Sequence, residues 1–178
     1  YKFGSEFFNS RDGRAFISKL KNKVIFLDQK YSDIPNTMVS AVKALKDLKI
    51  NYLTVHISSG LQALKAVKKV SRKIKIVGVS TLTSLDNKDL KKIGYNKSVR
   101  NLIIHQSKLA QAAKLDAIVC SPNEVNYVRK IFKKEIITPG VRFDKNKQDQ
   151  KRTMHPSKIN SDWLVCGRII TKGNIKNN

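Results

Sequence analysis

Short apolar runs alternate with longer amphipathic stretches along this chain, and that alternation constrains the fold more than any other feature. Val24–Leu27, Tyr52–Val55, Ile74–Val79, Ala117–Cys120, Ile136–Thr138 and Trp163–Cys166 are apolar runs of strand length. They are continuous, as strands buried on both faces require. Between them lie segments with helical spacing. Thr37–Leu48 carries Val39, Val42, Leu45 and Leu48, and Leu61–Val70 carries Leu61, Leu64 and Val67. A turn at Ser84-Leu85-Asp86 leads to a short helix near Lys88–Lys92. Longer helices follow over Ser98–Ala113 and Pro122–Phe132, where Pro122 suits a first helical turn. Strand–helix alternation implies parallel strands covered by helices. A doubly wound sheet and a (β/α)8 barrel both fit. The absence of a G-x-G-x-x-G sequence after the first run weighs against a dinucleotide-binding sheet. Without an internal repeat or linker, residues 1–178 read as one domain.

Charge narrows the function classes less than its size suggests. Lys and Arg number 36 against 13 Asp and Glu, giving a net charge of +23. Binding to nucleic acid or an acidic membrane is one reading. Drift toward Lys, Asn and Ile in an A/T-rich genome is the other, and the scatter of the lysines favours it. No RNA-recognition signature, zinc-finger spacing or basic heptad region accompanies them. Nucleic acid is therefore not the expected partner, although the charge would attract an anionic substrate at long range. No apolar run is long enough to span a bilayer, and the start does not read as a signal peptide. The first residue is Tyr1, so the chain need not begin where its gene begins. Cys120 and Cys166 read as buried free thiols in a reducing cytoplasm. Neither has a neighbouring ligand at metal-binding spacing.

The segment richest in chemistry is Asp28-Gln29-Lys30-Tyr31-Ser32-Asp33-Ile34-Pro35-Asn36-Thr37. Asp28 and Lys30, two apart at the end of an apolar run, point to one face if the run is a strand. At the C-terminal end of a barrel strand they would project into the mouth where active sites form. A strand-end salt bridge, with Asp33 capping the next helix, explains the same charges. The residues alone leave both readings open.

The wider pattern, Asp-x-Lys-x-x-Asp-Ile-Pro-Asn-Thr, resembles the signature of the orotidine 5'-monophosphate decarboxylase family. Further segments match that family in order along nearly the whole chain. Lys2–Phe8 resembles its Lys-x-Gly-x-Glu strand, and Thr54–Gly60 its Val-His-Ala-Ser-Gly-Gly segment. Thr81–Ser84 resembles its Leu-Thr-Ser turn, and Asp116–Pro122 its Asp-Gly-Val-Val-Cys-Ser-Pro. Thr138–Arg142, Asp149–Arg152 and Gly167–Thr171 complete the series.

The resemblance implies a (β/α)8 barrel that converts orotidine 5'-monophosphate to uridine 5'-monophosphate and carbon dioxide with neither metal nor coenzyme. Its Lys-Asp-Lys-Asp array falls on Lys2, Asp28, Lys30 and Asp33. The family places the last Asp in the partner subunit's site, so a homodimer with shared active sites is implied. Lys30 would stabilise and protonate the ring carbon that loses carbon dioxide. Asp28 would crowd the substrate carboxylate. Lys2 and Asp33 would keep both charged and oriented. Substrate-binding positions map to Thr37, Thr83, Pro139, Arg142, Gln150, Gly167 and Arg168. Of these, Arg168 is placed to meet phosphate, and Arg142 and Gln150 lie in the polar loop that closes over phosphate and base. His56 is expected to pack at a strand end, and Trp163 to sit in the core or at its edge.

The pattern also departs from the family. The first strand of that barrel, with its Asp, and the terminal helix have no counterpart here. Gln29 replaces a usual Leu, Ser32 a usual His and Ser59 a usual Gly. The expected fold is thus a barrel without its first strand and terminal helix. The alternative function is an inactive truncated remnant that binds nucleic acid non-specifically. A sugar-phosphate barrel of the hexulose-phosphate synthase kind shares Asp-x-Lys-x-x-Asp but uses magnesium. Ile34–Thr37 and the Gln150 loop favour the decarboxylase over it.

Overall fold

The computed structural model describes residues 1–141, 152–167 and 170. Seven strands form one sheet in chain order: β1 (Lys2–Gly4), β2 (Phe26–Tyr31), β3 (Tyr52–His56), β4 (Lys75–Val79), β5 (Ala117–Val119), β6 (Glu135–Thr138) and β7 (Trp163–Leu164). Every neighbouring pair is parallel. Each of the first five connections carries helix, as parallel strands require: α1 (Ser5–Asn9) and α2 (Gly13–Lys19), α3 (Pro35–Lys43), α4 (Leu61–Val70), α5 (Asn87–Lys92) and α6 (Val99–Ala112), then α7 (Val125–Ile131). An order that never reverses removes the doubly wound alternative, whose ligand crevice lies where the order switches. The sheet curls as a barrel that stays open, because β1 and β7 each pair on one side only among the described residues.

Strand alternation separates two apolar layers. Outward-facing Leu27, Leu53, Ile76, Ile118 and Ile136 pack with Leu64, Val67, Ile103 and Phe132 of the helical layer. Inward-facing Tyr52, Val77, Ala117 and Ile137 form a second cluster with Phe26, Val119 and Val165. On β3, Leu53 and Val55 face the helices while Tyr52 and Thr54 face inward, the two-residue period of a strand. Helix starts follow local chemistry. The Ser98 hydroxyl accepts from the Asn101 N–H at the head of α6, and Asp86 and Asp89 form a capping box at α5.

Several expectations need correction. Lys2–Phe8 is not one strand: β1 ends at Gly4 and Ser5–Asn9 is helical. The helix lets Phe7 pack against Phe3 (ring centroids 4.9 Å) and Phe16 (5.4 Å). Gly13 makes the return possible, since a Cβ there would lie 1.7 Å from the Phe7 carbonyl oxygen. Helix α3 stops at Lys43, short of Leu48. Trp163 is 51% exposed on the open edge, where β7 has no second neighbour among the described residues to cover it. Cys120 is buried but Cys166 is only partly so, and both are free. The expected absence of a helix after Thr171 lies outside the described residues. No helix among the described residues is long and apolar enough to cross a membrane.

Candidate active site

The C-terminal strand ends surround a cavity of about 440 Å³, and β1 and β2 bring Lys2, Asp28 and Lys30 to its wall. Asp28 is only 8% exposed. Its Oδ2 accepts from Lys2 Nζ at 2.7 Å and its Oδ1 lies 3.0 Å from Lys30 Nζ. Burial alone would raise the Asp28 pKa, but the charges and hydrogen bonds of Lys2 and Lys30 outweigh it and hold the carboxyl below its usual range. One carboxylate therefore serves two ammoniums, leaving a surplus of one positive charge at the cavity wall of the single chain.

The strand end is irregular where it carries these groups. The β2–β3 register shifts between Leu27 and Tyr31, and Lys30 adopts φ +51°. Asp28 and Lys30 thus line the same cavity across a bulge instead of along a regular strand. Thr54, fully buried on β3, donates its hydroxyl to Asp28 Oδ1 (3.0 Å) and accepts from the Lys30 N–H (2.8 Å). Sequence reasoning gave Thr54 no role. The available signal was a hydroxyl on the inward face between two outward apolar residues, Leu53 and Val55. His56 ends the same strand; burial, and then the Lys30 charge, lower its pKa against the opposing pull of Asp28.

The opposite wall is the turn after β4. Gln106 Oε1 accepts from the Thr81 N–H (2.9 Å) and hydroxyl (3.1 Å). From the other side Arg152 Nη2 donates to the carbonyls of Thr81 (3.0 Å) and Leu82 (2.8 Å), and Nη1 to Glu124 Oε1 (2.8 Å). Arg152 was not singled out as a site residue. Its nearly buried charge is admissible because Glu124, 3% exposed, pairs with it.

Of the residues anticipated from sequence, Lys2, Asp28, Lys30, Thr83, Pro139 and Gly167 line this one cavity. Asp33 and Thr37 do not; both are exposed on the segment after β2. Asp33 does not cap α3 either. The N-cap is Ile34, and Asp33 Oδ1 accepts only from the adjacent Ile34 N–H at 2.6 Å among the hydrogen bonds described. Arg142, Gln150 and Arg168 lie outside the described residues. Among the described residues no group of three or more His, Cys, Asp or Glu is gathered to hold a metal ion. The arrangement can bind an anion beside Lys30 and present a fixed ammonium, with a carboxylate next to it, to a carbon that gains negative charge.

Comparison with known proteins agrees with this geometry. The profile of the "Orotidine 5'-phosphate decarboxylase / HUMPS family" matches residues 1–176. An orotidine 5'-phosphate decarboxylase of Wolbachia pipientis subsp. Culex pipiens is 42% identical over 96% of this chain and 79% of that protein. One from Ehrlichia canis is 40% identical over 96% of this chain and 78% of that protein. Among solved structures, the Lactobacillus acidophilus orotidine 5'-phosphate decarboxylase superposes with a TM-score of 0.83 at 30% identity, over 97% of this chain and 80% of that one. The Methanocaldococcus jannaschii orotidine 5'-monophosphate decarboxylase complexed with the inhibitor BMP superposes with 0.74 at 26% identity, over 97% and 78% of the two chains. With seven parallel strands in barrel order among the described residues, a Lys-Asp-Lys array lining one cavity and a match over nearly its full length, the chain belongs to the orotidine 5'-phosphate decarboxylase / HUMPS family.

Proposed function

We propose that this chain decarboxylates orotidine 5'-monophosphate to uridine 5'-monophosphate, a step of pyrimidine synthesis, without a cofactor. The observation that carries the reading is the convergence of Lys2, Asp28 and Lys30 in one cavity, with Asp28 buried between two ammoniums. The bond from the pyrimidine ring to its carboxylate breaks, carbon dioxide leaves, and the electron pair stays on the ring carbon. Lys30 Nζ stabilises that charge as it develops and then donates the proton. Asp28, kept ionised by Lys2 and Lys30, disfavours the substrate carboxylate beside it. Thr83, Pro139 and Gly167 line the substrate cavity. Arg142, Gln150 and Arg168 bind phosphate and base, supplying remote binding energy that is used at the ring.

A homodimer completes the site. Asp33 and Thr37 are exposed and outside the cavity, and Ile34 between them is 67% exposed. That placement suits donation of both polar groups to a second copy, with Ile34 covered on association. The enzyme is assigned to the cytoplasm, where Cys120 and Cys166 stay reduced.

The test is loss of orotate absorbance on incubation with orotidine 5'-monophosphate, with and without a chelator. Turnover unaffected by the chelator is expected; chelator-sensitive action on a sugar phosphate would move the chain to the magnesium-dependent side of the family. A folded chain without turnover would favour the remnant. The shared site is tested by mixing inactive Lys30→Ala and Asp33→Ala chains, which regain activity only if each site draws on both.

A further inference from the structure

Strand β2 carries more residues than its partner at the point where the chemistry sits. The pairs Phe26↔Tyr52 and Leu27↔Leu53 are followed by Tyr31↔Val55. Between the last two pairs β2 has Asp28, Gln29 and Lys30, while β3 has only Thr54. A regular ladder cannot satisfy three residues with one. The Lys30 N–H is taken instead by the Thr54 hydroxyl oxygen at 2.8 Å. The same hydroxyl spends its proton on Asp28 Oδ1 at 3.0 Å. One buried oxygen thus ties the backbone of one charged residue to the carboxylate of the other, and Lys30 sits at φ +51°, which a non-glycine residue holds only when its surroundings dictate it.

We propose that Thr54 is a positioning residue for the Lys30–Asp28 pair: its hydroxyl holds the bulge that aims Lys30 Nζ into the cavity and fixes the Asp28 carboxylate beside it. The role rests on the decarboxylase reading for its catalytic consequence, but not for its structural content. Valine matches threonine in shape and can neither accept from the Lys30 N–H nor donate to Asp28. Without the hydroxyl the bulge loses its internal bond and the ammonium its fixed origin. A misplacement of about 1 Å at a reacting group lowers turnover about 10²-fold.

Three variants of the whole chain, Thr54→Val, Thr54→Ala and Thr54→Ser, are compared with the parent. The first readout is hydrogen exchange at the Lys30 amide, followed by NMR. Exchange accelerates in Thr54→Val and Thr54→Ala, relative to amides of Leu53 and Ile76, and stays slow in Thr54→Ser. The second is turnover of orotidine 5'-monophosphate per folded chain. In Thr54→Val, kcat falls about 10²-fold with KM changed far less, and Thr54→Ser restores most of it. A merely structural threonine would change the melting temperature and the yield of folded chain but leave kcat per folded chain intact. Unchanged Lys30 exchange in both hydroxyl-free variants overturns the proposal, as does undiminished kcat in them. If the parent itself shows no turnover, the decarboxylase reading fails, while the exchange comparison still decides whether Thr54 holds the bulge. Should Thr54→Val not fold, Thr54→Ala and Thr54→Ser carry the same contrast.

Discussion

The same strands carry a polar cluster at each end, built from similar parts and balanced differently. At the N-terminal end, Glu135 pairs with Lys75 and accepts from the Tyr52 hydroxyl (2.8 Å) and the Trp163 indole (2.9 Å). Lys75 also donates to Tyr52 at 3.2 Å. One anion meets one cation, and two neutral donors fill the remaining acceptor positions. This cluster sits at the barrel floor beside the tilted and edge-on rings of Phe26, Tyr52 and Trp163, with its one anion matched by one cation. At the C-terminal end one buried carboxylate faces two ammoniums, the strand is bulged, and a cavity lies open beside the surplus charge. Satisfied polar groups stabilise; a cluster left unbalanced within one chain beside a cavity is set up to receive a ligand or a group from a second copy. The contrast agrees with the general division of such barrels into a stability face and a catalytic face.

The two carboxylates separate the roles of the two ends most sharply. Asp28→Ala should reduce turnover by at least about 10³-fold, a loss on the scale of a charged catalytic group. Glu135→Ala should leave kcat unchanged and lower stability by about 1–2 kcal/mol through the lost hydrogen bonds. Steady-state kinetics and urea unfolding separate the two outcomes, and a kcat loss in Glu135→Ala would show that the floor is part of the chemistry. Acid should weaken both ends. The Asp28 and Glu135 pKa values lie below their usual ones, so the unfolded chain takes up protons more readily. Stability linked to each is present above the unfolded value of roughly 4 and is lost as pH falls through the folded pKa. The melting temperature of Asp28→Asn should therefore fall less steeply than the parent's below about pH 5; parallel curves would contradict that. The smallest effect is expected at Gln29, whose Nε2 is buried without a hydrogen-bond partner among the described residues. Gln29→Leu removes that orphan and should stabilise by about 1 kcal/mol, read as a raised melting temperature with turnover unchanged.

The two clusters also differ in how far the sequence disclosed them. The apolar runs locate the buried strands because burial on both faces demands continuous apolar residues, and α4 begins and ends where its periodicity predicts. Lys2, Asp28 and Lys30 were legible because the family motif places them, and Thr83, Pro139 and Gly167 followed in the same way. Thr54 was not, since its partners are 24 and 26 residues away: strand pairing brings Asp28 to it, and the bulge brings Lys30. The floor escaped for the same reason: Tyr52 and Glu135 are 83 residues apart and belong to no motif. The helix at Ser5–Asn9 was hidden by the apolar Phe7-Phe8 pair, which reads as strand until the rings of Phe3 and Phe16 are seen packed against Phe7. Trp163 was expected in the core or at its edge because tryptophan usually buries much of its surface; it stands at the edge, half exposed, with its ring against Tyr52.

The most direct measurement sets two lysines of the same sheet against each other. Loss of orotate absorbance is followed for the parent, Lys30→Ala and Lys75→Ala under identical conditions. The Lys30 ammonium at the C-terminal mouth predicts turnover by the parent, a fall of at least about 10⁴-fold in Lys30→Ala from combined loss of charge stabilisation and proton donation, and parental kcat in Lys75→Ala. Equal losses in both variants, or turnover that survives Lys30→Ala, would contradict the assignment of chemistry to the Lys2–Asp28–Lys30 array.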